Sequence, residues 1–352
     1  MAKTSFGVND PLAVKLWAKK LFEEALKATW VGKFIGTGSS ALLQRKDDME
    51  KSAGDKLTIG LRMLLSGPGI QGDSTLEGNE EALTLYNDAF YIDQLRHAVR
   101  TGGKMSQQRV PFSLRDESMA GLRDWWADRM DTAFFNQIAG NTAVTDVRYT
   151  GMQSTTAPDA NHVFASGGHD TEASLSATTT HSLKLRDIDR FVAKAKTMTP
   201  MIRPLRSDGE DLYVCFAHPY SIYQMRQDAS TAGNFIDIQK AAMQGGKISD
   251  NPIFTGASFM YNNVIVHEAV RAPLVPGQTV YYRNVFCGAQ AAVLGFGKNG
   301  GSGDGPADWI EEMFDYKNQL GVAGGMVFGL KKTIFNSKDF ATVVCSSYAP
   351  AV

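Results

Sequence analysis

The chain has 352 residues, enough for one large or two ordinary domains, and its 43% apolar and 21% charged residues are the balance of a folded globular protein. Its 36 basic and 37 acidic side chains leave a formal net charge of −1, without the basic surplus or stripe that grips nucleic acid through its phosphates. No apolar signal-peptide run opens the sequence and no segment has the apolar length of a bilayer span; Cys215, Cys287 and Cys345, odd in number and far apart among apolar or small neighbours, read as reduced thiols buried in strands.

In chain order, the first predicted element is a helix that opens at Asp10 and Pro11 and carries Val14, Trp17, Leu21, Ala25 and Ala28 on one face, with Gly32 ending it. Its other face is charged, so it is an amphipathic arm that needs a surface to lie on. A strand follows in which Leu57, Ile59, Leu61, Met63 and Leu65 alternate with Thr58, Gly60 and Arg62. The turn-rich stretch after it and a predicted return strand over Leu76–Leu85 make a long hairpin. A two-stranded hairpin with such an apolar stripe must cover its own body or a neighbour, since alone it is marginal in water.

The strongest prediction is a helix over Leu114–Ala139, with Ser113 as N-cap, Asp116 completing a capping box and Gly140-Asn141 as the stop. Met119, Leu122, Trp126, Met130, Ala133, Phe134 and Ile138 form its apolar stripe, which Trp125 and Phe135 widen. At 1.5 Å per residue it is about 40 Å long, the length of a spine. Residues 141–182 turn to Thr, Ser, Ala and Gly and read as a loop-rich insertion.

Beyond the insertion the pattern is mixed. Helices are predicted at Leu185–Thr197, Pro219–Gln227 and Ile236–Gln244, and strands at Leu212–Phe216, Val264–His267 and Val280–Leu294. A glycine-rich loop over Gly295–Gly305 follows. Two last strands, Trp309–Tyr316 and Met326–Phe335, are expected to be joined by a glycine-rich connection at Leu320–Gly325.

Chemical motifs are weak. Gly295-Phe296-Gly297-Lys298-Asn299-Gly300 matches a dinucleotide-binding G-x-G-x-x-G after a strand, but Gly301–Pro306 cannot readily start the helix such a site needs. His162 and His169 with Asp159 and Asp170, and His267 beside Glu268, lack metal-ligand spacing and read as solvated loop residues. His97 reads as a hydrogen-bonded structural residue, and His218, before Pro219, as a helix cap. The adjacent carboxylates Asp47-Asp48, Glu80-Glu81 and Glu311-Glu312 point to opposite faces of any strand that holds them, which fits surface or ion-pair roles. No catalytic, cofactor-binding or metal residue is expected, and the chain does not read as an enzyme.

Three stretches, Thr75–Leu83, Tyr91–Val99 and Leu122–Asp131, together with Phe314-Asp315-Tyr316, Gly321, Gly325, Gly329–Lys332 and Phe335, resemble major capsid proteins of tailed bacteriophages in their N-four-like branch. The resemblance implies an α+β shell fold of the HK-ninety-seven type. In this chain its parts are an N-terminal arm (1–52), an extended hairpin loop (53–90) that reaches over a neighbour, a peripheral domain (91–145 and 306–352) with the spine helix, and a mixed α/β axial domain (146–305). It further implies hexamers and pentamers of an icosahedral head around double-stranded DNA, in a virion assembled in the host cytoplasm. Partners would be a separate scaffolding protein, a portal and decoration proteins, with DNA enclosed but not read.

On this view Val14, Trp17, Leu21, Leu57, Ile59, Leu61 and Met63 are expected at contacts between subunits, and Arg62, Glu77, Glu80 and Glu81 set register by charge. Leu122, Trp125, Trp126, Met130, Phe134 and Ile138 pack the spine. Gly121 is expected to let that helix bend differently in pentamers and hexamers. The alternatives are an encapsulin-like nanocompartment shell and a glycine-loop α/β enzyme.

Overall fold

A computed structural model describes residues 24–25, 29–46, 54–63, 65–207, 210–227, 258–297 and 307–351. After a 3-10 turn at Trp30–Phe34 come β1 (Ile35–Gly36), β2 (Leu43–Lys46), β3 (Lys56–Arg62), β4 (Leu85–Tyr91) and β5 (Asp93–Arg100). Helices α1 (Lys104–Arg109) and α2 (Leu114–Ile138) lead into the insertion, which holds only short 3-10 turns and β6 (Val163–Ala165). Next are α3 (Leu185–Thr197), β7 (Leu205–Ser207), β8 (Glu210–Ala217), α4 (Pro219–Gln227), β9 (Ser258–Tyr261), β10 (Val264–Glu268) and β11 (Tyr281–Cys287). The chain closes with β12 (Ala292–Phe296), β13 (Ala307–Phe314), β14 (Gln319–Lys332), β15 (Ile334–Phe335), β16 (Lys338–Asp339) and β17 (Thr342–Tyr348).

Two sheets organise these strands. The first runs β1-β2-β12-β14-β13, with β5 also on β14. Phe328 of β14 pairs with both Phe296 and Asp93, so β5 lies along the opposite edge from β12. The second runs β6-β17-β11-β8-β10-β9, with β7 folded back on β8. Parallel pairs (β6 with β17, β10 with β8) stand among antiparallel ones, and with the helices they give an α+β fold.

The long helix α2 bolts the sheets together. Ser113 Oγ accepts from Asp116 N–H (3.3 Å) at its start. At its end Gly140, at φ 60°, donates to Gln137 O, and Asn141 N–H donates to Asn136 O, which is a Schellman stop. Met119 and Leu122 pack on Trp309 and Val322 of the first sheet, and Trp126 meets Phe328 edge-on at 6.0 Å. Further along, Phe134 and Phe135 sit 5.8 and 5.6 Å from Phe216 of the second sheet. Each such aromatic burial contributes about 2–3 kcal/mol. Leu122, Trp126, Met130, Phe134 and Ile138 are all buried, and Trp125 is half-buried, stacked on His97 at 4.4 Å.

Several expectations need correction. The return strand of the hairpin is Leu85–Tyr91, not Leu76–Leu85: Lys56 pairs with Tyr91 and Arg62 with Leu85. Val280–Leu294 is two strands, one in each sheet. The expected connection Leu320–Gly325 lies inside the 14-residue β14. Thr29 is extended and Gly32 lies within the 3-10 turn, so Gly32 ends no helix. The expected limits at 305/306 also shift, because β12 completes the first sheet and β17 the second. Val14, Trp17, Leu21, Asp47-Asp48, Ile236–Gln244 and most of the Gly295–Gly305 loop lie outside the described residues. Cys215, Cys287 and Cys345 are free and buried, and burial pushes their thiols up.

Candidate assembly surfaces

The β3–β4 ribbon leaves the first sheet at Ile92. Its base crosses that sheet where side chains are missing. A Cβ on Gly295 would fall 2.8 Å from the Phe90 ring, one on Gly297 2.5 Å from Ile92 Cδ1, and one on Gly329 would collide with the Tyr91 carbonyl. The G-x-G that resembled a nucleotide loop is therefore part of a landing pad for the ribbon. Phe90 and Leu57 are buried there with Val293. Asp88 of β4 receives Lys331 Nζ and Ile334 N–H (3.2 Å), which fixes the ribbon's lateral position.

Beyond the pad the ribbon changes character. Leu57 is buried, Ile59 and Leu61 are half-buried against their own core, and from Leu65 to Leu85 almost everything is exposed. Leu57 is thus corrected from a contact candidate to an internal packing residue. Leu65, Leu76, Leu83 and Leu85 stand 61, 63, 53 and 65% exposed. Such a run of solvated leucines marks a surface made to be covered.

The acidic residues of this loop divide by role. Glu81 accepts from Ser66 N–H (2.8 Å), Ser66 Oγ (3.1 Å) and Gly67 N–H (2.7 Å), and these bonds hold its carboxyl below the usual range. Glu80 accepts from Gly78 N–H (2.8 Å). Glu80 and Glu81, expected at a subunit boundary, are exposed and also close their own loop. Glu77, Arg62 and Met63 remain on its accessible surface, Met63 partly.

Two anchoring sites were not visible in the sequence. Asp131, buried in α2, accepts from Trp30 N–H and Val31 N–H (both 3.0 Å), so the 3-10 turn at Trp30–Phe34 is tied to the spine. Burial pushes that carboxyl up, against those two bonds. At the far end of α2, Arg283 of β11 donates to Ala139 O (3.1 Å) and Gly140 O (2.8 Å) and grips Glu172 of the insertion (2.8 and 2.7 Å). Burial alone would raise the Glu172 carboxyl; Arg283 and the Ser346 hydroxyl (2.5 Å) bring it below its ordinary value. Partners a hundred or more residues apart leave no local pattern, so only the fold exposes these sites.

The histidines are structural. His162 is buried, not solvated as expected, with Nδ1 3.3 Å from Asp159. His169 and His181 approach Nε2 to Nε2 at 3.2 Å. His218 accepts Tyr220 N–H (3.2 Å) and so caps α4, and His267 lies among Trp30, Phe34 and Phe216. Among the described residues no cluster of three metal-ligating side chains occurs, and no helix is long and apolar enough to cross a membrane. Glu311, buried, pairs with Arg115 (2.6 Å) while Glu312 faces solvent, as their adjacency on a strand required.

A spine helix joins two sheets, and an exposed ribbon stands out from them. The family model for phage capsid proteins matches residues 5–351. The chain belongs to the phage capsid protein family. The capsid protein is 28% identical to the major capsid protein of Pseudomonas phage KPP25, over 93% of each chain. Its structure is similar to that of the capsid of Ralstonia phage GP4, with 33% identity, 99% of both chains covered and a TM-score of 0.75. The fold also matches the cyanophage Pam1 capsid, at 18% identity, a TM-score of 0.73 and 93 and 94% coverage. The capsid protein is thus a major capsid protein, a structural component of the virion shell built from copies of itself.

Proposed function

We propose that this chain forms hexamers and pentamers that close into an icosahedral head around double-stranded DNA, and that it does so without catalysis. The observation that carries this reading is the ribbon, whose apolar loop protrudes from a body that gives it no cover. We assign residues 53–90 to the extended loop, the first sheet with α2 to a peripheral unit, and the second sheet with the insertion to an axial unit around the capsomer centre. Such shells use heterologous contacts, which form rings when the rotation closes. A near-neutral chain suits a container that DNA must enter without being gripped.

The partners that go with this reading are a separate scaffolding protein, a portal and decoration proteins. The test is co-expression of the full chain with a scaffolding protein encoded beside it, followed by electron microscopy. Closed icosahedral particles of uniform size are expected. A chain that stays monomeric under every assembly condition overturns the reading.

A further inference from the structure

Lysine is among the residues least often fully buried, yet Lys332 at the end of β14 is 1% exposed and Asp339 on β16 is 3% exposed. Lys332 Nζ lies 2.7 Å from Asp339 Oδ1. A tight hairpin sets this contact. Asn336 and Ser337, at φ 50° and 59°, have the positive φ that a two-residue type I′ turn requires, and the turn pairs Ile334 with Asp339. Lys332 stands two residues before Ile334, which makes it the diagonal neighbour of Asp339 on the same face. Phe335 and Phe340, both buried, meet edge to face at 5.3 Å over that end of the hairpin.

A buried ion pair stabilises a fold poorly, because both charges give up their water. Burial pushes the Lys332 amine below its ordinary value, and Asp339 offsets part of that. An amine and a carboxyl that can both become neutral, held in contact away from water, are the reactants of an amide bond. The insertion supplies the rest of the arrangement. Asp159 N–H donates to Asp339 Oδ2 (3.4 Å), where negative charge gathers when the carboxyl is attacked. The Asp159 carboxylate, whose charge also acts on Lys332, is held by His162 Nδ1 at 3.3 Å. His162 is 4% exposed, and Lys332 Nζ also donates to Thr156 O (3.3 Å), so little solvent reaches the pair.

We propose that Lys332 and Asp339 join in an intramolecular isopeptide bond, made once per chain by the folded protein itself. A proton passes from the Lys332 ammonium to Asp339 Oδ1, leaving a free amine and a carboxylic acid. The Nζ lone pair attacks Asp339 Cγ, and the carbonyl electrons move onto Oδ2, opposite Asp159 N–H. The Asp159 carboxylate takes a proton from the nitrogen and returns it to the Oδ1 hydroxyl, which leaves as water when the C=O bond re-forms. One C–N bond forms and one C–O bond breaks, with no oxidant or co-reactant. The product puts a neutral amide where two buried charges stood. Every group involved lies within one chain, so the bond does not depend on the shell reading.

The test is the mass of the full-length chain, purified folded, incubated overnight and then denatured. The wild type is expected to be lighter than its sequence by one water. Trypsin should leave residues 332–338 and 339–352 as one branched peptide, which separates this bond from an aspartate cyclised within a single peptide. Lys332→Arg and Asp339→Ala are expected at their full sequence masses; if either misfolds by circular dichroism, the wild-type branched peptide decides alone. Asp159→Asn keeps the backbone N–H but loses the proton acceptor, and should lower the closed fraction of freshly purified, folded chain by at least about tenfold. The bond is overturned if the wild type keeps its full sequence mass after incubation, or if the lost water lies within one peptide. An Asp159→Asn chain that closes as fully as the wild type overturns the role given to Asp159.

Discussion

Arg283 occupies the meeting point of helix, insertion and second sheet, where its guanidinium serves two carbonyls at the negative end of the α2 dipole and one carboxylate. Replacing it with Met takes that donor from the Ala139 and Gly140 carbonyls and leaves Glu172 without its counter-charge, at an expected cost of about 3–5 kcal/mol in denaturant unfolding. Adding Glu172→Met should recover part of that loss, because the stranded charge goes with it. A second residue-scale prediction concerns pH. Burial lowers His218 from its ordinary 6.5 to about 4. His267 falls from 6.5 to about 4 as well, through burial first and then the nearby Lys33. Both imidazoles are neutral in the folded chain, whereas the unfolded chain protonates them below about 6.5. Stability is therefore complete above that pH and lost as the pH falls toward 4, by about 2 kcal/mol per imidazole at pH 5. Melting temperatures at pH 7.5 and 5 test this: the drop should shrink in His267→Gln, and an equal drop in wild type and variant refutes the assignment.

At the scale of elements, two glycines predict opposite outcomes for the same substitution. Gly121 lies in the exposed part of α2 with nothing within 4 Å of where its Cβ would go. Gly121→Ala should stabilise the free chain by about 1 kcal/mol, by the ordinary helix preference for Ala. Gly329→Ala drives a methyl into the Tyr91 backbone, which cannot rotate away, and should cost about 1–3 kcal/mol or tilt the ribbon off its pad. Chemical denaturation of the two variants side by side decides both signs. The same contrast explains what the sequence could reveal. Helices α2, α3 and α4 were legible almost to the residue because their caps and 3.6-residue stripes are local signals. Strand β4 was not, since its inward positions include Tyr86 and Asp88. The acid breaks the apolar alternation, and its partner Lys331 lies 243 residues away. Strand β14 was hidden by Gly321 and Gly325, which make room for the Phe314 ring and the Arg96 side chain. The exposed, acidic loop 65–84 was legible because its composition is a local signal.

At the scale of the molecule, folding and assembly depend on different parts of the chain. The core runs unbroken from the first sheet through Trp126, Phe134 and Phe135 into the second, and a smaller cluster of Leu57, Phe90 and Val293 seats the ribbon base. Loop 65–84 adds no buried residue to it. Its two sides are clamped by Glu81, an exposed contact of small energetic weight. Deleting 66–81 and joining Leu65 to Ala82 through a short glycine turn should therefore change monomer stability by less than about 1 kcal/mol, since shortening an exposed loop mainly reduces closure entropy. The same deletion removes Asp73, Leu76, Glu77, Glu80 and Glu81, and with them the loop surface proposed to meet the next copy. A folded, soluble monomer with the wild-type melting temperature and no shells is the expected product. If the deleted chain still closes into particles, assembly runs through other faces of the body; if it fails to fold, the loop belongs to the core after all. Either result would show that the division between folding and assembly lies elsewhere in the chain than at the glycine pad.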